Sequence, residues 1–194
     1  MPHPLIVGIG GTPRQGSTTE QALRVALDAA EALGARTRLF GGQYLAALPL
    51  YLGDGSETAG AELVDAVRQA DGIILGSPGY HGAISGTVKN AIDYLEELAR
   101  DERVYLDGLP VGLIVTAYGW QATGTTLMTM RSIVHALRGW PTPLGATINT
   151  SGGTFKDGVC QDDGATSQLR LVGRQTVTFA RLHRAEGCAA ESIA

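Results

Sequence analysis

The sequence predicts an α/β domain built on a doubly wound parallel sheet, and three observations carry that expectation. Short, fully apolar runs recur along the chain, at Leu5–Ile9 (LIVGI), Gly72–Gly76 (GIILG) and Val111–Val115 (VGLIV). Stretches with apolar residues three and four apart separate them, as amphipathic helices would. Strands that lack polar alternation belong to parallel sheets covered on both faces. No linker or internal repeat breaks this order, so residues 1–194 read as a single domain.

The elements follow in order. Leu5–Ile9 is the first strand. Ser17-Thr18-Thr19-Glu20 is a capping box, in which the serine satisfies a free amide of the first turn and the glutamate reaches back. It opens a helix through Leu23, Ala26, Leu27, Ala30 and Leu33 that Gly34 ends. Arg36–Phe40 alternates and predicts a short second strand. Residues 41–55, with aromatic and proline content, read as a long loop. Residues 61–70 predict a short helix and 72–76 a buried third strand. Residues 85–100 predict a helix with Val88, Ile92, Leu95 and Leu98 on one face. Residues 111–115 form the fourth strand, and Leu127, Met130, Val134 and Leu137 mark the next helix. Pro141 and Pro143 flank the start of a last strand at 144–148, and prolines of this kind place it at a sheet edge. Residues 163–184 form the final helix. Five strands and five helices with a proline-flanked fifth strand suit the flavodoxin-like order 2-1-3-4-5. That order binds its ligand outside the carboxyl ends of the strands, at the crevice between strands 1 and 3.

Composition narrows the function. A chain of 194 residues with 44% apolar and 18% charged residues has the balance of a soluble globular protein. A formal charge of −4 supplies no attraction for nucleic acid or an anionic membrane surface, and neither is expected as a partner. No apolar run approaches the roughly 18 residues of a membrane span. The start MPHPLIVGIG lacks the basic and long apolar regions of a signal peptide, which makes the cytoplasm the expected location. Cys160 and Cys188 stand in no metal or redox spacing.

Chemistry concentrates in three loops at the carboxyl ends of strands, residues 10–19, 77–82 and 116–124. The first, within GIGGTPRQGST (8–18), nearly completes two nucleotide-binding patterns. Pro13 occupies the third glycine position of a dinucleotide fingerprint, and Ser17 the lysine position of an NTPase phosphate loop. What remains is a helix N-terminus with Gly11, the hydroxyls of Thr12, Ser17, Thr18 and Thr19, and Arg14, which is able to grip a terminal phosphate bidentately. A plain helix cap explains Ser17 alone. The whole set points to a phosphate monoester. In the second loop Pro78, Gly79, Tyr80, His81 and Gly82 let backbone amides approach a flat ring, although an ordinary strand–loop–helix turn with surface Tyr80 and His81 fits equally. In the third, Thr116, Ala117, Tyr118 and Gly119 lead into Trp120, and Tyr118 or Trp120 either covers a ligand or packs at a subunit boundary.

The first loop, GTPRQGSTT at 11–19, resembles the G-[ST]-x-R-x-x-S-x-[NST] phosphate loop of the NADPH-dependent FMN reductase family. The second resembles that family's P-x-Y-N-x-x-[IS]-x-G-x-x-K-N-x-[IL]-D signature through Pro78, Tyr80, Gly86, Lys89, Asn90, Ile92 and Asp93. LPLY at 48–51 is similar to the family's loop after strand 2. The resemblance implies that Thr12, Arg14, Ser17 and Thr19 hold an FMN phosphate and that Pro78, Tyr80, His81 and Gly82 border the isoalloxazine. The chain departs from the pattern at Gly79, where many members have glutamate, and at His81, where they have asparagine.

No nucleophile–base pair or metal cluster is visible, which suits a reaction whose chemistry the cofactor carries. The resemblance implies hydride transfer from NADPH or NADH to FMN. Reduced flavin then goes to a flavin-dependent monooxygenase or another acceptor. A reductase that keeps its FMN and reduces quinones or azo compounds is the alternative, and a flavodoxin-type electron carrier a second one. The apolar Tyr44, Leu45, Leu48, Leu50, Tyr51 and Leu52 in one loop, with the resemblance, predict a homodimer or homotetramer.

Overall fold

The computed structural model describes residues 3–53 and 58–191, with side chains to residue 185. Five parallel strands form the sheet: β1 (Leu5–Gly10), β2 (Arg36–Phe40), β3 (Gly72–Tyr80), β5 (Pro110–Ala117) and β6 (Trp140–Asn149). They stand in the order β2-β1-β3-β5-β6, with the two-residue β4 (Ala83–Ile84) folded back antiparallel on the end of β3. In chain order of the five long strands this is the expected 2-1-3-4-5.

Alternation along each strand sorts side chains to two faces. Val7 and Ile9 of β1, Ile73 and Leu75 of β3, and Val111, Leu113 and Val115 of β5 pack with α3 (Ala61–Gln69), α4 (Gly86–Asp93) and α5 (Trp120–Ala136). Ile6, Ile74, Ile114 and Ile148 pack on the other face with α1 (Thr18–Glu31) and α6 (Asp163–Glu191). Each such fully buried side chain contributes about 1.5–3 kcal/mol, so both faces hold the sheet firmly.

The structure redraws four boundaries. Part of the expected 41–55 loop is a short helix, α2 (Gly42–Ala47), while residues 54–55 of that loop lie outside the described residues. Gly41 caps α2 without a side chain, so no capping signal announces it. The expected 85–100 helix ends at Asp93 and tightens into a 3₁₀ segment, Tyr94–Leu98, where Tyr94 turns inward to full burial. The last strand starts at Trp140 and carries both prolines. It pairs only with β5, and a register shift opposite Val111 and Leu113 absorbs Pro143, as an edge strand permits. A hairpin, β7 (Phe155–Lys156) and β8 (Val159–Cys160), stands between β6 and α6.

Candidate functional site

Parallel pairing aligns the three loops. Gly10 at the end of β1 is opposite Gly76, and Pro78 of β3 is opposite Thr116 of β5. The first loop leaves β1 by a close approach of backbones: a Cβ on Gly10 would lie 1.9 Å from the Gly76 carbonyl oxygen, and its φ is +147°. Only glycine fits there. Residues 13–16 then swing into solvent and Ser17 turns back inward. The Ser17 hydroxyl accepts from the Thr12 and Glu20 amides, both at 3.3 Å, so it closes the loop and caps α1 together. Neither the Thr18 nor the Thr19 amide donates to any acceptor among the described residues, and both open the first turn of a 14-residue helix. Arg14 is exposed and makes no ion pair or side-chain hydrogen bond among them, whereas Glu20 in the same turn is taken up by Arg24 at 2.8 Å. Free amides, a helix dipole and an uncommitted guanidinium suit a phosphate dianion. The Thr19 hydroxyl is turned away from this loop's open side: it is buried and hydrogen-bonds the Thr116 hydroxyl at 2.6 Å, tying the first loop to the third.

The second loop is more ordered than its sequence suggests. Ser77 to Tyr80, expected to leave the sheet, continue β3, because β5 pairs one side as far as Pro78 and β4 takes Gly79 and Tyr80. His81 (φ +52°) and Gly82 (φ +82°) form the two-residue turn between β3 and β4. Positive φ at both central positions is the type I′ requirement, for which Asn-Gly is the preferred pair. Asparagine, which the resembled signature has where this chain has His81, would suit that turn. Ser77, fully buried, donates to the Pro78 carbonyl at 2.9 Å and accepts from the Ser85 amide at 3.1 Å, while Ser85 caps α4.

Gly79 has a steric reason. A Cβ there would meet Thr126 Oγ1 at 2.9 Å, the Ala117 Cβ at 3.2 Å and the Ala122 carbonyl at 3.2 Å. The start of α5 occupies the space that a glutamate side chain would need. Beyond Thr116 and Ala117, which are buried, Tyr118 is 85% exposed, Gly119 is extended, and Trp120, the first residue of α5, is 64% exposed. Tyr80, half-exposed, stands at the end of the neighbouring strand.

Lys89, Asn90 and Asp93 hold structure on α4. Lys89 pairs with Asp93. Asn90 accepts from the Tyr51 amide at 2.9 Å and donates to the Pro49 carbonyl at 2.8 Å, and Tyr94 donates to the same carbonyl at 3.1 Å. The LPLY segment is therefore clamped to α4 with Leu50 and Leu52 outward, 72% and 70% exposed. Behind it, burial first and Glu62 next hold the Tyr44 phenol above its ordinary pKa. One contributor escaped the sequence reading: Gly42, whose Cβ would strike the Thr12 carbonyl at 1.8 Å, so that α2 walls the first loop. No local pattern signals it.

A family profile described as NADPH-dependent FMN reductase matches residues 4–152, which contain all three loops. The chain belongs to that family. Among relatives of this reductase family, an NADPH azoreductase of Bacillus sp. (strain OY1-2) is 32% identical over 133 residues, 66% of each chain. An FMN-dependent NADPH-azoreductase of Staphylococcus haemolyticus (strain JCSC1435) is 35% identical over 116 residues, 58% of each. The matches thus span about three fifths of these relatives' length. A solved NADH:FMN oxidoreductase (EMOB, apo form) superimposes with TM-score 0.73 at 23% identity, covering 90% of this chain and 89% of that one. FerB, a flavoenzyme NAD(P)H:(acceptor) oxidoreductase from Paracoccus denitrificans, gives 0.76 at 18%, covering 93% and 98%. At these identities the superpositions establish the flavodoxin-like fold. Residues 10–19 fit the phosphate of the FMN reductase family's cofactor: a glycine cradle, with two amides and an arginine that have no partner among the described residues.

Proposed function

We propose that this chain is an NAD(P)H-dependent oxidoreductase that binds FMN at the carboxyl ends of β1, β3 and β5. One observation carries the reading: among the described residues the Thr18 and Thr19 amides and the Arg14 guanidinium have no partner at one helix N-terminus. Arg14 and those amides would hold the phosphate, with Ser17 keeping the loop closed and Thr12 and Thr18 offering hydroxyls. Pro78, Gly79, Tyr80, His81 and Gly82 would border one edge of the flavin, and Thr116, Ala117, Tyr118 and Gly119 another. Bound there, FMN would supply the redox chemistry by which a hydride from a reduced nicotinamide reaches an acceptor as an electron pair. The protein's part is to fix that ring in one orientation and to leave one face open to NADPH or NADH and then to the acceptor.

The acceptor divides two readings. In the first, free flavin is reduced for a flavin-dependent monooxygenase. In the second, FMN stays bound and an azo compound or quinone is reduced, which the azoreductase names of the 32–35% identical relatives favour. Steady-state oxidation of NADPH and NADH against added FMN, a quinone and an azo dye tests both. Turnover only with added FMN supports the first, dye reduction at the FMN content retained through purification supports the second, and no oxidation with any acceptor refutes both. The exposed Leu50 and Leu52, with the exposed Tyr118 and Trp120 of the third loop, support a homodimer or homotetramer, and light scattering that finds only a 20.2 kDa species refutes it.

A further inference from the structure

A groove of about 570 Å³ runs beside α1, closed by α6 and by the β7–β8 hairpin, and shares no residue with the three loops. Its apolar floor is Val25 and Ala29 of α1 with Ala32 and Leu33 just past the helix end, and Val159 of the hairpin is its far wall. The hairpin is a stiff wall. Asp157 and Gly158 form a second two-residue turn at positive φ, and the Gln161 amide and Thr154 hydroxyl tie its base to Thr154 and Asn149 carbonyls at 2.8 Å each.

Over this floor stand Arg170 and Arg174, four residues apart on α6 and therefore on one face. Elsewhere guanidinium groups are mostly occupied. Arg24, Arg38, Arg68 and Arg184 are in ion pairs, and Arg103, Arg131 and Arg181 donate to backbone carbonyls. Arg170 and Arg174 make neither an ion pair nor a side-chain hydrogen bond among the described residues. Two like charges at this spacing repel unless an anion lies between them. Asp28, across the groove on α1, is the one carboxylate in its lining.

We propose that this groove is a second binding site for a small amphipathic organic anion. Its carboxylate, sulfonate or phosphate would be gripped by Arg170 and Arg174, and its aromatic or hydrocarbon body would lie on the α1 floor. The volume falls within the few hundred to a thousand Å³ of small-molecule sites, and guanidinium groups favour planar oxyanions. Asp28 opposes such a ligand.

The test uses 8-anilinonaphthalene-1-sulfonate, titrated by calorimetry into the full chain with and without saturating FMN. One site is expected in both titrations, with Arg170→Gln and Arg174→Gln each weakening it about tenfold or more. Asp28→Asn should tighten it, and Arg14→Ala should leave it unchanged. Cys160, half-buried in the groove lining, serves as a reporter, since bound probe should slow its alkylation as read by peptide mass. Displacement of the probe by FMN, indifference to both arginine variants, or unaltered Cys160 alkylation overturns the proposal. If the chain binds no FMN at all, the titration without FMN still decides the groove.

Discussion

Replacing Gly79 by alanine tests whether α5 dictates this position. Gly79 has no left-handed φ, so alanine there is conformationally ordinary. With free space around it, the substitution would stabilise the chain by about 0.4–1 kcal/mol through a less flexible unfolded state. The contacts reverse that sign. A Cβ 2.9 Å from Thr126 Oγ1 obliges that hydroxyl to turn, giving up its 3.3 Å bond to the Ala83 carbonyl. The Ala122 carbonyl and Ala117 Cβ, at 3.2 Å, have to yield by a few tenths of an ångström, and the first of these is backbone. Overpacking of this kind costs roughly 1–3 kcal/mol. In a chain of this length it lowers Tm by about 2–12 °C. Thermal unfolding of Gly79→Ala, and of Gly79→Ala with Thr126→Ala, reads both the loss and its partial recovery. Glutamate should lose more than alanine, since its whole side chain enters the same space. A Tm for Gly79→Ala equal to or above the parent refutes the reasoning.

Three further outcomes follow from the loops. Arg14→Ala should weaken FMN about ten- to hundredfold, the loss of charge-assisted hydrogen bonds worth roughly 1.5–3 kcal/mol, and leave riboflavin almost unaffected; fluorescence titration of both flavins checks it, and equal losses would mean a collapsed loop. His81→Asn should stabilise the chain by about 0.5–1 kcal/mol, because asparagine tolerates the left-handed conformation better, and an unchanged Tm would place the turn's preference elsewhere. Asn90→Ala removes two hydrogen bonds of about 1 kcal/mol each and should speed amide exchange at Tyr51 selectively; exchange that rises equally across the sheet would deny the clamp.

The order of the sheet was legible because each central strand is an uninterrupted apolar run, and its edge because Pro141 and Pro143 restrict where the last strand can lie. Less legible were elements whose cause is tertiary. Ser77-Pro78-Gly79 has turn composition, yet pairing first with β5 and then with β4 keeps it extended. The break after Asp93 depends on Tyr94, whose ring packs against Gly60 and leans on Tyr51 at 5.2 Å, contacts that no periodicity encodes. By contrast, the β7–β8 hairpin did carry a signal, Asp157-Gly158, the dipeptide most typical of its turn. In the site, residue types with the right chemistry were readable from the first loop, but their division of labour was not. Ser17 and the Thr19 hydroxyl are spent on the protein itself, and the unengaged groups are the backbone amides beside them.

The hydroxyl pair of Thr19 and Thr116, 97 residues apart in the chain, has an evolutionary corollary. Losing one hydroxyl strands its buried mate without a partner, a penalty of about 1–3 kcal/mol, whereas losing both together is nearly neutral. A single step across that valley is disfavoured and a paired step is not. Across the lineage, positions 19 and 116 should therefore be inherited as a couple, polar together or apolar together, even where every residue between them has drifted.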